Sequence, residues 1–185
     1  MIGKPSFDDK LGHNTIIFVL KVRLKSMNKA ELVQIIIQKL EEKLQVAHAS
    51  TQRAIDAATD EETVPEHKYD TLALEASYLA HGQAMRVQES EEELRQYRSL
   101  VVKDFTDAPI GVGAVVLLED DDLTEKCFFI GPCSGGLTVE WQGKQVFVLT
   151  AKSPLGRALM GKEEGDDVNV KIANKTTGYD VVTVF

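Results

Sequence analysis

The sequence predicts an α+β chain in which a long antiparallel coiled-coil hairpin precedes a small β-rich domain. Three observations carry this prediction. No Gly or Pro interrupts the stretch from Asn28 to Val64, two apolar tracks of heptad spacing flank a short acidic segment, and beyond about residue 111 helical periodicity yields to short β-type runs. The expected divisions are an N-terminal extension over 1–27, the hairpin over 28–100, a linker over 101–111 and a C-terminal domain over 112–185.

The first helix starts at Asn28, which is placed to cap it, with Glu31 three residues on as its capping-box partner. Alternate steps of four and three trace Val33, Ile37, Leu40, Leu44, Ala47, Thr51, Ala54 and Ala58, a seam bulky at its start and small at its end. A second track through Ala73, Ala76, Ala80, Gln83, Val87, Ser90, Leu94 and Tyr97 has the reverse gradient. Antiparallel pairing sets bulky against bulky and alanine against alanine, whereas parallel pairing would leave mismatched volumes. The link Asp60 to Val64 has the length that joins antiparallel helices. An arm of about 30 residues reaches roughly 45 Å. Because its seam is satisfied internally, the hairpin predicts a monomer.

Around the turn stand Asp56, Asp60, Glu61, Glu62, Glu66 and Asp70, with Lys68 the only basic residue among them. Two readings are open. Thr63-Val64-Pro65-Glu66 is a capping box with Pro in the first turn, and acids at a helix N-terminus contribute about 0.3–1 kcal/mol each. Alternatively, the carboxylates crowd an exposed point that delivers them: hard divalent cations take oxygen ligands, and one or two carboxylates carried into a two-metal centre complete a metal shell and orient water.

In the C-terminal part the expected strands are Ala114 to Leu118, Lys126 to Ile130, Leu137 to Trp141, Gln145 to Thr150, Asp167 to Ile172 and Tyr179 to Val184. Val168, Val170 and Ile172 alternate with polar residues, as on a sheet with one buried face. One short helix is expected where Ser153 caps, Pro154 takes the first position and Gly161 ends it. The domain contains no histidine and no Ser-His-Asp grouping, and Trp141 reads as core or anchor.

Composition narrows the function. A formal charge of −8 argues against non-specific adhesion to duplex DNA, which requires several cations to displace counterions. Cys127 and Cys133 form no CxxC and none of the four histidines clusters with them, so reduced thiols in a cytoplasm are expected and no structural zinc site. The apolar run Ile16 to Leu20 is too short to span a bilayer and its charges follow it, so neither a membrane span nor a signal peptide is expected. Met27 precedes the helix start, and residues 1–26 are expected to be an appendage that is disordered or not native.

The run Ser153-Pro154-Leu155-Gly156-Arg157-Ala158-Leu159-Met160-Gly161-Lys162-Glu163-Glu164-Gly165-Asp166-Asp167-Val168 resembles the signature of the bacterial Gre (GreA/GreB) transcript-cleavage factors, and a weaker resemblance extends from about Asn28 to Phe185. It implies a hairpin that enters the secondary channel of RNA polymerase and an FKBP-like domain that docks at the channel's rim. FKBP-like names a fold here, without prolyl isomerase activity. In that family two tip acids help hold the second Mg²⁺, so the polymerase itself cleaves backtracked RNA; the factor is an accessory and binds no stable cofactor.

The family pattern sets an Asp and a Glu three residues apart, shortly before an Asn and a Tyr. Glu66 fits the second acid, followed by His67 and Tyr69; Thr63 occupies the position three before it, so the resemblance puts Glu62, or alternatively Asp60, in the first role. The resemblance thus implies that Glu62 and Glu66 are the catalytic pair and the ligands of the Mg²⁺ shared with the polymerase. The loop after Phe129-Ile130, usually acidic where it meets the rim, reads Gly131, Pro132, Cys133 and Ser134 here, and these four are assigned to partner binding. The expected partners are RNA polymerase and the nascent RNA 3′ end. The alternatives are a secondary-channel regulator of the Rnk and DksA type that does not promote cleavage, and a coiled-coil adaptor. Lys39, Lys43 and Arg53 read as solvated helix charges rather than an RNA path.

Overall fold

The computed structural model describes residues 28–59, 71–172 and 175–185. They fall into two compact units: Val33–Leu100, and a second unit whose described part is 28–32 with 101–172 and 175–185. The long helices are α1 (Lys29–Thr59) and α2 (Thr71–Arg98).

Within the helical unit the seam follows the heptad tracks. On α1, Val33, Ile37, Leu40 and Ala54 are buried and Leu44, Ala47 and Thr51 half-buried. On α2, Ala80, Gln83 and Val87 are half-buried and Ser90, Leu94 and Tyr97 buried. Two ion pairs fix the direction: Lys43 Nζ lies 2.6 Å from Glu93, and Arg98 Nη2 lies 2.7 Å from Glu41. Later residues of α1 therefore meet earlier residues of α2, as the opposed volume gradients require. Exposed pairs of this kind stabilise by at most about 1 kcal/mol each, so the apolar seam carries the association.

The second unit contains a six-stranded sheet, with β1 (Val115–Asp120), β2 (Glu125–Gly131), β3 (Thr138–Trp141), β4 (Lys144–Thr150), β5 (Asp167–Ile172) and β6 (Lys175–Val184) in the order β3-β4-β2-β1-β6-β5. Each predicted strand is present: β5 has the expected bounds, and the others differ by a residue or more at one or both ends, β6 the most. Every pairing is antiparallel except β2 with β4. The parallel pair arises because the chain leaves β2, runs out to edge strand β3 and returns through a two-residue hairpin. Gln142 (φ 50°) and Gly143 (φ 77°) both take the left-handed conformation that such a turn demands.

One face of the sheet carries the main core, with Val116, Leu118, Phe128, Ile130, Val168, Val181 and Val184 around Phe105, Ile110 and Leu159. Leu159 lies on α3 (Pro154–Leu159). Val168 and Val170 are buried and Asn169 and Lys171 exposed, so β5 alternates as its sequence predicts. Central strands β1 and β2 behave otherwise: Val115, Leu117, Cys127 and Phe129 are buried as well, so both faces of the sheet centre are covered.

Part of that second layer is the first turn of α1, which belongs to the sheet unit up to Leu32. Asn28 caps as expected, its Oδ1 accepting from Ala30 N at 3.1 Å. Glu31 does not complete a capping box. Its Oε2 instead accepts hydrogen bonds from Trp141 Nε1 (3.1 Å) and Gln142 Nε2 (2.8 Å). A fully buried indole N–H is a costly donor to leave unpaired, and that need outweighs a solvent-exposed capping bond.

Candidate functional site

Two regions bear on function: the hairpin, and the end of the sheet where the signature and the predicted partner loop meet. The tip acids Asp60, Glu62 and Glu66 lie outside the described residues. Asp56, at the edge of that segment, is exposed and its Oδ1 accepts from Gln52 Nε2 at 2.8 Å. Lys39, Lys43 and Arg53 are each engaged within the hairpin: Lys39 pairs with Glu42 at 2.8 Å, Lys43 with Glu93 of α2, and Arg53 Nη2 donates to Ser50 Oγ at 3.1 Å.

α2 carries a feature that the heptad reading of the sequence passed over. Leu74, Tyr78 and Met85 are 54%, 68% and 45% exposed, and with His81 they repeat the four-three-four spacing. At 100° per residue they form a stripe opposite the Ala80, Gln83 and Val87 seam. The hairpin therefore shows solvent an apolar face as well as a charged one. The signal was present in the sequence, one heptad register away from the stronger alanine track.

At the end of the sheet, Gly131 closes β2 opposite Thr150 of β4. Pro132, Cys133 and Ser134 follow, all half-buried, with Ser134 at φ 58° and Gly136 at φ 92°. Leu137 N donates to Ser134 O at 3.2 Å and Gly136 N to Val148 O at 2.9 Å, which folds the loop back onto β4. A Cβ on Gly135 would come within 3.2 Å of the Thr150 methyl. Thr150 is also the footing of the signature helix. Ser153 Oγ donates to Thr150 O (2.8 Å) and accepts from Gly156 N (3.0 Å), while a Cβ on Gly156 would sit 2.0 Å from Thr150 O. Of the four predicted partner residues, Gly131 thus pairs with Thr150, the residue on which the signature helix stands, and the other three follow it in the loop.

The rest of the signature is stitched into the fold. Gly161 N donates to Ile110 O (3.0 Å) and Ile110 N to Lys162 O (2.7 Å), while Gly165 N and Val181 N exchange bonds with Val181 O and Asp166 O at 2.8 Å each. Glu164 Oε2 accepts from the buried Thr183 hydroxyl at 3.0 Å. Such a motif specifies a domain rather than a reaction. Cys127 is buried and desolvation pushes its thiol up to about 12, so it is inert; among the described residues no group of three or more His, Cys, Asp or Glu is placed to hold a metal.

The domain so assembled matches a known family over its whole length: the model for "Transcription elongation factor, GreA/GreB, C-term" covers residues 106–185. The C-terminal domain belongs to the GreA/GreB family. The transcription elongation factor GreA of Mesorhizobium japonicum is 29% identical over 131 residues, 71% of this chain and 78% of that protein. A match of that length cannot fit within 106–185 and therefore includes hairpin residues. GreA of Cereibacter sphaeroides (strain ATCC 17023) is 35% identical over 77 residues, 40% of this chain and 46% of that one. Among solved structures, GreA factor homolog 1 (Gfh1) of Thermus thermophilus aligns at 19% identity, covering 80% of this chain and 94% of that one with a TM-score of 0.33, a likeness that carries no argument by itself. The paired helices precede the sheet domain in the chain, and no helix among the described residues is long and apolar enough to cross a membrane.

Proposed function

We propose that this protein, with its GreA/GreB C-terminal domain, binds transcribing RNA polymerase, carries the acidic segment of its hairpin through the secondary channel, and stimulates the polymerase's own Mg²⁺-dependent cleavage of backtracked RNA. The observation that supports this most is an antiparallel helix pair in one chain with a GreA/GreB C-terminal domain, the sequence between the two helices being rich in carboxylates. Helices of 31 and 28 residues are about 47 and 42 Å long at 1.5 Å per residue, enough to hold a tip well away from the base. The exposed Leu74, Tyr78 and Met85 stripe supports the same reading, because an apolar face on an arm gains by being covered when the arm enters a partner.

In this scheme the chain's own chemistry is small. Glu62 and Glu66 bring carboxylate oxygens to a Mg²⁺ that the polymerase supplies and hold a water for in-line attack on the RNA phosphodiester. Pro132 to Ser134, with Gly131, form the surface that meets the rim. The protein is an accessory, and the active centre is the polymerase's.

One sequence observation favours a second reading. Thr63 stands where the family's first acid belongs, and a neighbour one position away on a helix points about 100° elsewhere. A factor that enters the channel without promoting cleavage is the outcome if neither Glu62 nor Asp60 replaces it. The test uses stalled, backtracked polymerase complexes with purified protein and Mg²⁺, scored for short 3′ RNA fragments. Accelerated cleavage that a Glu62→Ala, Glu66→Ala double variant loses, with polymerase binding kept, is the expected result. Tight binding with unchanged RNA length selects the second reading, and no binding at low salt returns the protein to the adaptor class.

A further inference from the structure

Lys29, in the first turn of α1, is 8% exposed, and its Nζ is the one buried side-chain polar atom among the described residues with no hydrogen-bond partner. Its ammonium lies 4.9 Å from the centroid of the Phe105 ring and 6.0 Å from that of Phe185. The charges around it are few. Asp104, on the segment before β1, acts on it through space. Glu31, on its own turn, is engaged by Trp141 and Gln142 of the β3–β4 hairpin. Just past β6 stands Phe185, its ring facing the ammonium and its backbone oxygen accepting from Val115 N at 2.9 Å.

We propose that the proton on Lys29 controls how firmly the first turn of α1 stays docked on the sheet unit: the clasp loosens when the side chain is an ammonium and tightens when it is a neutral amine. The aromatic rings favour the cation by roughly 0.5–2 kcal/mol. Removing an ammonium from water without a hydrogen-bonding partner costs several kcal/mol, so desolvation wins. The titration direction agrees, for burial lowers the Lys29 pKa from 10.5 to about 8 while Asp104 pulls it part of the way back.

The sign follows from proton linkage. Undocked, Lys29 returns to water and to its ordinary basicity, so between pH 8 and 10.5 the open form binds more protons than the docked form. Raising the pH across that window favours docking by up to about tenfold per pH unit; below about 8 both forms are protonated and the dependence flattens. The reporter is built in, because Trp141 is the only tryptophan, is fully buried and donates to the residue two places from Lys29.

The full-length protein is measured from pH 7 to 9.5 by acrylamide quenching of Trp141 and by hydrogen-exchange protection of residues 28–32, corrected for intrinsic exchange rates. The open fraction is expected to fall with rising pH, steepening above pH 8. Lys29→Met should give low quenching with no pH dependence. Asp104→Asn, which keeps the Oδ1 acceptor for Thr106 N, should move the profile to lower pH. A flat wild-type profile, or an unchanged slope in Lys29→Met, overturns the proposal. If Lys29→Met fails to fold, an unshifted Asp104→Asn profile overturns it equally.

Discussion

Trp141 and Glu31, 110 residues apart in sequence, meet through a 3.1 Å hydrogen bond from the indole N–H to the carboxylate, and the neighbouring Gln142 amide donates to the same oxygen at 2.8 Å. The bond ties the first turn of α1 to a hairpin whose Gln142 sits at φ 50°, a conformation that side chains other than Gly adopt at some cost. One carboxylate therefore satisfies a buried donor and steadies a strained turn.

Replacing Glu31 by Ala should lower the urea midpoint and raise acrylamide access to Trp141, with Gln recovering part of the loss because its amide oxygen still accepts. Donors from Gln142 and then Trp141 hold the Glu31 pKa below 4.5. The pair's contribution is then present above the ordinary glutamate range and is lost as pH falls through the lowered value. An acid titration of wild type against Glu31→Gln, followed by Trp141 fluorescence, checks this: the difference between them should shrink below about pH 4.5.

Gly156→Ala should destabilise the sheet domain by about 2 kcal/mol or more, since the new methyl would meet a backbone carbonyl 2.0 Å away that cannot swing aside. Gly161→Ala has open space around its Cβ and bears only the left-handed conformation at φ 78°, a cost of about 1–2 kcal/mol. Chemical denaturation of the two variants should rank them in that order.

The seam gradient predicts opposite sensitivities along the arm. Leu40→Ala removes a side chain that is 1% exposed and should cost about 2–5 kcal/mol. Ala54→Leu, at the narrow part, should cost about 1–3 kcal/mol by overpacking. Thermal melts followed by helical circular dichroism measure both; a neutral Ala54→Leu would mean the seam does not narrow there.

Tyr78→Ser should leave stability within about 0.5 kcal/mol, because the side chain is 68% exposed and lies opposite the seam. Under the proposed function it should instead weaken the affinity for polymerase several-fold in a binding titration.

Much of this architecture was legible because helix and strand periods are local. The tracks Val33 to Ala54 and Ala80 to Tyr97 named the seam residues, and opposed volumes named their direction. Asn28 and Ser153 announced helix starts because capping depends on neighbours two or three positions away. The signature from Ser153 to Val168 marked the GreA/GreB domain, since Gly156 and Gly161 answer to fixed local geometry.

What only the tertiary structure decided was where side chains with two possible uses went. Glu31 fits a capping box by spacing, yet its partners stand 110 and 111 residues away and no local pattern encodes them. Nothing in the sequence around Lys29 marks it for burial, yet it is enclosed by Phe105 and Phe185. Cys127 and Leu117 fall on the strand positions that alternation assigns to the outer face, and they are buried because a second layer covers it. Period and propensity act over a few residues, whereas desolvation is settled only when distant segments close over one another.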